Sequence, residues 1–407
     1  MRRLLLPILL LATPAFAQVQ GPPLTVDAAV DLARASSPTA AAAAAAIDAA
    51  SAARRAARLR PNPTASVDVE NVGGSRAYDI VEAPNQTVSL AYPIELGGKR
   101  AARIGVAEAQ GARAAIDRAS VDAELRLAVT RAYGDALAAD RRLANAREQA
   151  RIAADGLHAA QVRVEAGRAS PLEESRAGVV RNNAGVAVEQ AARLASAARA
   201  TLVLLIGQPA LGPLDAAWFD RIAGDVPVQR SGALAVAASR ADVATAAAQE
   251  RLARSQRVPD VTVSAGVRRV PMVGSSAAVI GLSVPLPLFN NGSAALAQVR
   301  AERTRAEALA RTAELEADRA VIAAEAERDN AASAARATNG PTLATAQEAA
   351  RIANIGYREG KFGQLDLIDA ERALAETRAA AIDALAAYHD AQARLDRLTT
   401  PYEETRK

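Results

Sequence analysis

An internal duplication constrains this chain more than any other feature. Gly167-Arg-Ala-Ser-Pro-Leu172-Glu173 has a counterpart in Gly360-Lys-Phe-Gly-Gln-Leu365-Asp366, 193 residues further on. Leu90-Ala-Tyr-Pro93-Ile94 matches Leu282-Ser-Val-Pro285-Leu286 at an offset of 192, and Pro63-Thr-Ala-Ser-Val67 matches Pro259-Asp-Val-Thr-Val263 at 196. Three matches in one order at nearly one spacing mark two repeats of a single structural unit. They divide the chain into residues 18–206 and 231–407, joined by a connecting segment at 207–230.

Ahead of the repeats, Arg2-Arg3, an apolar run from Leu4 to Ala12 and Ala15-Phe16-Ala17 read as a secretory signal over residues 1–17, too short to span a membrane. The mature chain is therefore expected beyond the inner membrane. Without Arg2 and Arg3 the formal charge falls from +4 to +2, which gives no reason to expect nucleic acid. The absence of cysteine excludes disulfides, thiolate metal sites and lipid attachment at a cysteine. His158 and His389 stand far apart, so they suggest packed or solvated side chains rather than a metal site. Gly156, Gly178, Gly185 and Gly207 are isolated and form no phosphate loop. With no nucleophile–base pair either, the chain reads as a non-enzyme with no cofactor.

After the signal, no apolar run approaches the ~20 residues of a membrane helix; Leu202-Val203-Leu204-Leu205-Ile206 stops at Gly207. Each repeat instead carries two stretches of period-two alternation. Ala65, Val67 and Val69 alternate with polar neighbours, as do Val88, Leu90, Tyr92 and Ile94. In the second repeat Val261, Val263, Ala265 and Val267 do the same, followed by Ala278, Ile280, Leu282, Val284 and Leu286. Such stretches fit strands of a membrane barrel, with one face to lipid and one to a wet lumen. A soluble sheet with one buried face would alternate in the same way. Gly73-Gly74-Ser75, Pro271 and Gly274-Ser275-Ser276 predict the hairpin turns.

Everything else reads as helix. Lys99 to about Ala166 is free of proline, with Val121, Leu125, Val129, Tyr133 and Leu137 every four residues. Its repeat, Ser293 to about Glu359, is interrupted at Asn339-Gly340-Pro341. Each would reach ~100 Å at 1.5 Å per residue. Shorter helices follow at about Ser170–Ile206 and Gln364–Leu398, and others precede the strands at about Thr25–Leu59 and Ser231–Gln256. Two short lengths match one long one, which favours a helical tube. Four strands cannot close a barrel, and open edges are not tolerated in hydrocarbon, so several chains must share one barrel. Three copies would give twelve strands.

Tyr92-Pro93-Ile94-Glu95-Leu96-Gly97-Gly98-Lys99-Arg100 after the second strand, Val284-Pro285-Leu286-Pro287-Leu288-Phe289-Asn290-Asn291-Gly292 after the fourth, and the two glycine-containing hairpin tips resemble the TolC family of outer membrane factors over nearly the whole mature chain. Glu95-Leu-Gly-Gly-Lys-Arg100 and Glu165-Ala-Gly-Arg-Ala-Ser-Pro-Leu-Glu-Glu174 are most similar to its CzcC-type heavy-metal branch. The resemblance implies a mainly α fold with a membrane β-barrel. Long helical hairpins would form a periplasmic α-barrel, and four strands per chain would complete a twelve-stranded barrel in a homotrimer. It further implies an outer-membrane location, a periplasmic adaptor (membrane fusion) protein and an inner-membrane pump of the RND type as partners. The implied function is passive exit of heavy-metal cations. Multidrug efflux and type I secretion are the competing cargoes, and a periplasmic adaptor or coiled-coil structural protein is the competing class.

By the same resemblance Gly167, Ser170, Gly360 and Gly363 fall at tips that dock the adaptor. The residues themselves also read as turns: Ser170-Pro171-Leu172-Glu173 is a capping box with proline at N1, whereas Gly363 lacks the capping hydroxyl. Asp366 and Asp369, three apart on one helix face, match an acidic ring at the closed inner mouth; the plainer reading pairs Asp369 with Arg372. Tyr357 and Glu173 match positions that latch the mouth, while Phe362 stands where some relatives place a basic latch residue.

Overall fold

The computed structural model describes residues 22–72, 84–224, 233–271 and 274–402. The secretory signal, the Gly73-Gly74-Ser75 turn and residues 225–230 of the connecting segment lie outside them. The first half runs α1 (Val26–Ser36), α2 (Pro38–Ala57), β1 (Thr64–Glu70), β2 (Asn85–Ile94), α3 (Lys99–Glu165) and α4 (Pro171–Ile206). A short α5 (Ala216–Asp220) follows. The second half runs α6 (Leu234–Gln256), β3 (Val261–Val270), β4 (Ser275–Ser283), α7 (Ser293–Ala337), a π turn (Thr338–Thr342), α8 (Leu343–Arg358) and α9 (Gln364–Thr399). Among the described residues no helix is long and apolar enough to cross a membrane.

Three expectations need correction. The helix expected over Thr25–Leu59 is two helices, because Pro38 has no N–H to continue the first and instead opens α2 at N1. The Ser37 hydroxyl accepts the Ala40 N–H at 3.3 Å and caps that start. The fourth strand begins earlier than expected, so that Ser275 and Ser276 belong to β4 and pair with Val270 and Arg269. It ends at Ser283, since Pro285 and Pro287 cannot donate to the ladder. The Ser170 hydroxyl makes no capping bond; proline at N1 starts α4 without it, and the Glu173 N–H bonds the Ser170 carbonyl at 2.9 Å. The break expected at Asn339-Gly340-Pro341 is the π turn, where Gly340 leaves helical geometry and Pro341 removes a helix donor.

The strands form one antiparallel meander, β1-β2-β3-β4. Register places Val67, Val88, Val267 and Ala278 in one cross-strand row, and Ala65, Leu90, Ala265 and Ile280 in the next. Tyr92, Val263 and Leu282 make a third row. This apolar face is bare, with Ile280 84% exposed and Leu282 71%. A soluble sheet would cover it with other elements; a lipid-facing wall leaves it open. The opposite face is small and polar, with the Ser66 and Ser89 hydroxyls bonded at 2.8 Å. Arg268 donates there to Thr87 Oγ1 at 3.0 Å and to Glu70 at 3.3 Å.

The chain forms two compact units that cut across the repeats. The unit built from residues 34–128, 223–337 and 387–402 holds the sheet. Its helices pack through small clusters, Ile116 and Ala123 with Leu234, and Val321 and Ala324 with Leu395. Glu250 on α6 is buried and accepts from Arg254, Arg300 and Arg303 at 2.8, 3.2 and 3.1 Å. His389 is buried beside the Tyr388 ring, edge to face.

The other unit, residues 22–33, 129–222 and 338–386, is organised around Tyr133. That side chain is fully buried; its hydroxyl donates to the Leu24 carbonyl at 2.6 Å and accepts the Asp215 N–H at 2.8 Å. The Trp218 ring meets it edge-on. Arg141 clamps Asp220 with two bonds of 2.6 and 2.7 Å and lies over the Phe219 ring. The connecting segment is thus structured around residues 213–220.

Candidate functional site at the hairpin tips

Both helical hairpins of the Tyr133 unit turn on the same motif. After α3, Gly167 takes φ +70; its N–H bonds the Val164 carbonyl, and the Arg168 N–H reaches back to Arg163 at 2.8 Å. After α8, Gly360 takes φ +74; its N–H bonds Tyr357, and the Lys361 N–H reaches back to Gly356 at 2.7 Å. Each helix therefore ends with a left-handed glycine and a bond spanning six residues. A β-carbon in that conformation costs roughly 1 kcal/mol or more, so glycine is the residue both turns require.

At the second tip Gly363 precedes α9, and its N–H bonds Asp366 Oδ2 at 2.9 Å. Asp366 thus supplies the half of a capping box that reaches back, where no serine stands at the cap. Asp369 is exposed one turn on, and Arg372 turns to Glu376 at 2.8 Å rather than making an ion pair with Asp369. Phe362 folds back over Gly356, so closely that a β-carbon on Gly356 would lie 2.1 Å from its ring.

Tyr357 and Glu173 come together although they belong to different hairpins. The Tyr357 hydroxyl donates to Glu173 Oε1 at 3.3 Å, and the Gln364 side chain donates to the Glu173 carbonyl at 3.4 Å. Arg163 completes the cluster, 3.6 Å from the same carboxylate and 5.0 Å from the centre of the Tyr357 ring. Sequence reasoning missed Arg163 and Gly356. Arg163 stands ten positions before Glu173, across the turn at Gly167, and that spacing becomes a signal only once the turn is known. Leu172, Phe362 and Leu365 leave apolar surface exposed around the tips.

Behind the tips lie two cavities of about 460 Å³ each, both bordered by Ile152, Gly156, Tyr357, Leu367 and Glu371. Burial pushes the Glu371 carboxyl above its ordinary value, against the opposing pull of Arg378; Glu148 raises it further and Arg151 lowers it. Among the described residues no group of three or more His, Asp or Glu side chains is placed to hold a metal ion.

A bare apolar sheet with open edges and paired helical hairpins together define an exit channel of the outer membrane. The outer membrane efflux protein family model matches residues 29–208 and 229–400, and the chain belongs to that family. Among its relatives, the cobalt-zinc-cadmium resistance protein CzcC of Cupriavidus metallidurans is 32% identical over 393 residues, covering 95% of this chain and 92% of that one. The nickel-cobalt-cadmium resistance protein NccC of Alcaligenes xylosoxydans xylosoxydans is 32% identical over 335 residues, 77% of this chain and 72% of that one. The same fold is seen in CusC (TM-score 0.76, 17% identity, 92% and 91% covered) and in VceC of Vibrio cholerae (0.74, 20%, 93% and 97%). The protein is an outer-membrane efflux channel with helical and β-barrel parts.

Proposed function

We propose that this channel is the passive exit duct for heavy-metal cations in a three-part assembly with a periplasmic adaptor and an RND-type inner-membrane pump. The observation that carries the channel reading is the four-stranded sheet, lipid-ready on one face, small and polar on the other, and unpaired at both edges. Three copies would close it. The metal cargo rests on likeness to relatives whose names specify cobalt, zinc, cadmium and nickel resistance. The names of the curated relatives specify metals rather than drugs or secreted proteins, and a periplasmic adaptor would carry one helical hairpin where this chain has two.

In this reading the repeats, 18–206 and 231–407, are duplicated units, supported by the recurrence of helix, strand pair, long helix, glycine turn and shorter helix. Gly167, Ser170, Gly360 and Gly363 shape the tips on which the adaptor docks, with Leu172, Phe362 and Leu365 as its apolar footing. Tyr357 and Glu173 latch neighbouring hairpins. Asp366 and Asp369 set negative charge at the inner mouth, which attracts cations. Selectivity belongs mainly to the pump, because a wide wet lumen makes few specific contacts.

Deleting the protein and measuring growth on zinc, cobalt, cadmium and nickel tests the cargo. Lost tolerance to these metals, restored by the wild-type chain, is expected. Unchanged metal tolerance with new drug sensitivity would reassign it. In the same strains Leu172→Asp should assemble but fail to co-purify the adaptor; undiminished co-purification would remove the tips from the docking surface.

A further inference from the structure

Where the strands hand over to helices, the chain is crowded with arginine. Residues 54–60, 95–103 and 250–260 flank three of the four strand ends on that side of the sheet, and they hold ten basic against three acidic side chains. Seven net positive charges therefore gather there, on a chain whose whole formal charge is +4. The three acids are already engaged. Glu95 is held by Arg103, Asp260 by Lys99 at 2.7 Å, and Glu250 by its three arginines. Arg58, Arg60 and Arg251 are exposed and make no ion pair with a carboxylate among the described residues. Arg100 and Arg257 are exposed too and donate to main-chain carbonyls, those of Arg58 at 2.7 Å and Asn291 at 3.2 Å.

The fourth strand end is different in kind. Residues 284–289, between β4 and α7, carry no charge, and Leu286, Leu288 and Phe289 are 74, 78 and 103% exposed. This apolar loop continues the bare face of β4 past the end of the ladder. Arg257 lies just past its end, its Cγ 3.0 Å from where a β-carbon on Gly292 would stand. Unneutralised guanidinium groups beside a protruding apolar loop, at the margin of a lipid-facing wall, match the layering of a bilayer: acyl chains, then phosphates. Guanidinium also bonds phosphate oxygens in pairs, which ammonium does not.

We propose that this arginine collar and the Phe289 loop dock the anionic phospholipid headgroups of the leaflet that meets the helical end of the barrel. The inference rests on reading the sheet as a membrane wall. The loop enters the acyl margin, and Arg58, Arg60, Arg100, Arg251 and Arg257 take the phosphates above it.

The test uses the purified full-length protein in mild detergent, titrated with phosphatidylglycerol, phosphatidylcholine or inorganic phosphate at matched ionic strength, with thermal unfolding as readout. Phosphatidylglycerol should raise the midpoint by roughly 4 °C or more, and the other two should not. The variant R58Q/R60Q/R100Q/R251Q/R257Q should lose most of that rise while keeping its helicity and conductance. Equal stabilisation by phosphatidylcholine, stabilisation reproduced by free phosphate, or an undiminished response in the variant each overturns the proposal. So does a variant whose ion selectivity changes while its lipid response stays intact, because the arginines would then line the lumen. Should the variant not fold, the wild-type response decides: it must fade as salt rises, and a salt-independent response overturns the collar. Failure of the wild-type protein to conduct in planar lipid films would instead count against the membrane wall itself.

Discussion

Tyr357 and Glu173 lie 184 positions apart, yet one hydrogen bond joins them. Removing the hydroxyl with Tyr357→Phe leaves the ring on Arg163 and takes away only that bond. Its loss is worth about 1 kcal/mol at this mostly buried carboxylate, which under the proposed latch role is a roughly fivefold shift toward the open state. Single-channel recordings should show a correspondingly higher open fraction; an unchanged fraction would remove the pair from the gate. Glu371 makes a second residue-scale prediction. Its carboxyl is held above the ordinary glutamate value by burial, so folding takes up a proton in the range just above that value. Stability from this group is complete below the unfolded value and is lost as pH rises through the folded one. Glu371→Gln should therefore unfold at a higher temperature than wild type at neutral pH, with the gap closing toward pH ~4. A gap independent of pH would assign the effect to packing. The Tyr357–Glu173 pair could be read from the sequence only through the resemblance, and the burial of Glu371 could not be read at all. The Glu173 cluster joins two hairpins, and the burial of Glu371 depends on helices that share no local pattern with it.

At the scale of elements, the long helices and strand alternation are legible because their periods repeat over many residues. Ends are less so. The break between α1 and α2 has a visible cause in Ser37-Pro38, but alanine on both sides hides it inside one helical pattern. The start of β4 depends on register against β3, which no property of Ser275 or Ser276 reveals. Register in turn makes the two faces testable. Ile280→Arg and Leu90→Asp place charge on the apolar face within one cross-strand row. A charge facing lipid costs ~2–4 kcal/mol for arginine near the midplane and less for aspartate, so assembly should fail or weaken in that order. Ser66→Asp, on the opposite face, should assemble normally and alter conductance. Assembly lost equally from either face would mean that both are covered.

For the molecule as a whole, the decisive quantity is the number of chains per pore. Strands β1 and β4 have one free edge each, and a membrane does not accept them. Protein extracted in mild detergent should have three times the mass of one chain and conduct in planar lipid films. A stable, non-conducting monomer would remove the basis of the channel. Closure was legible in outline, since four strands are too few for any barrel; the count of three comes from the resemblance alone.

The middle seam of the sheet, β2 against β3, joins strands that leave the ribosome about 170 residues apart. For that interval the first hairpin has made a greasy ribbon with no neighbour to zip onto. Contacts so distant in sequence form slowly and leave sticky intermediates. The first pair of strands therefore stays open to aggregation until the second pair arrives.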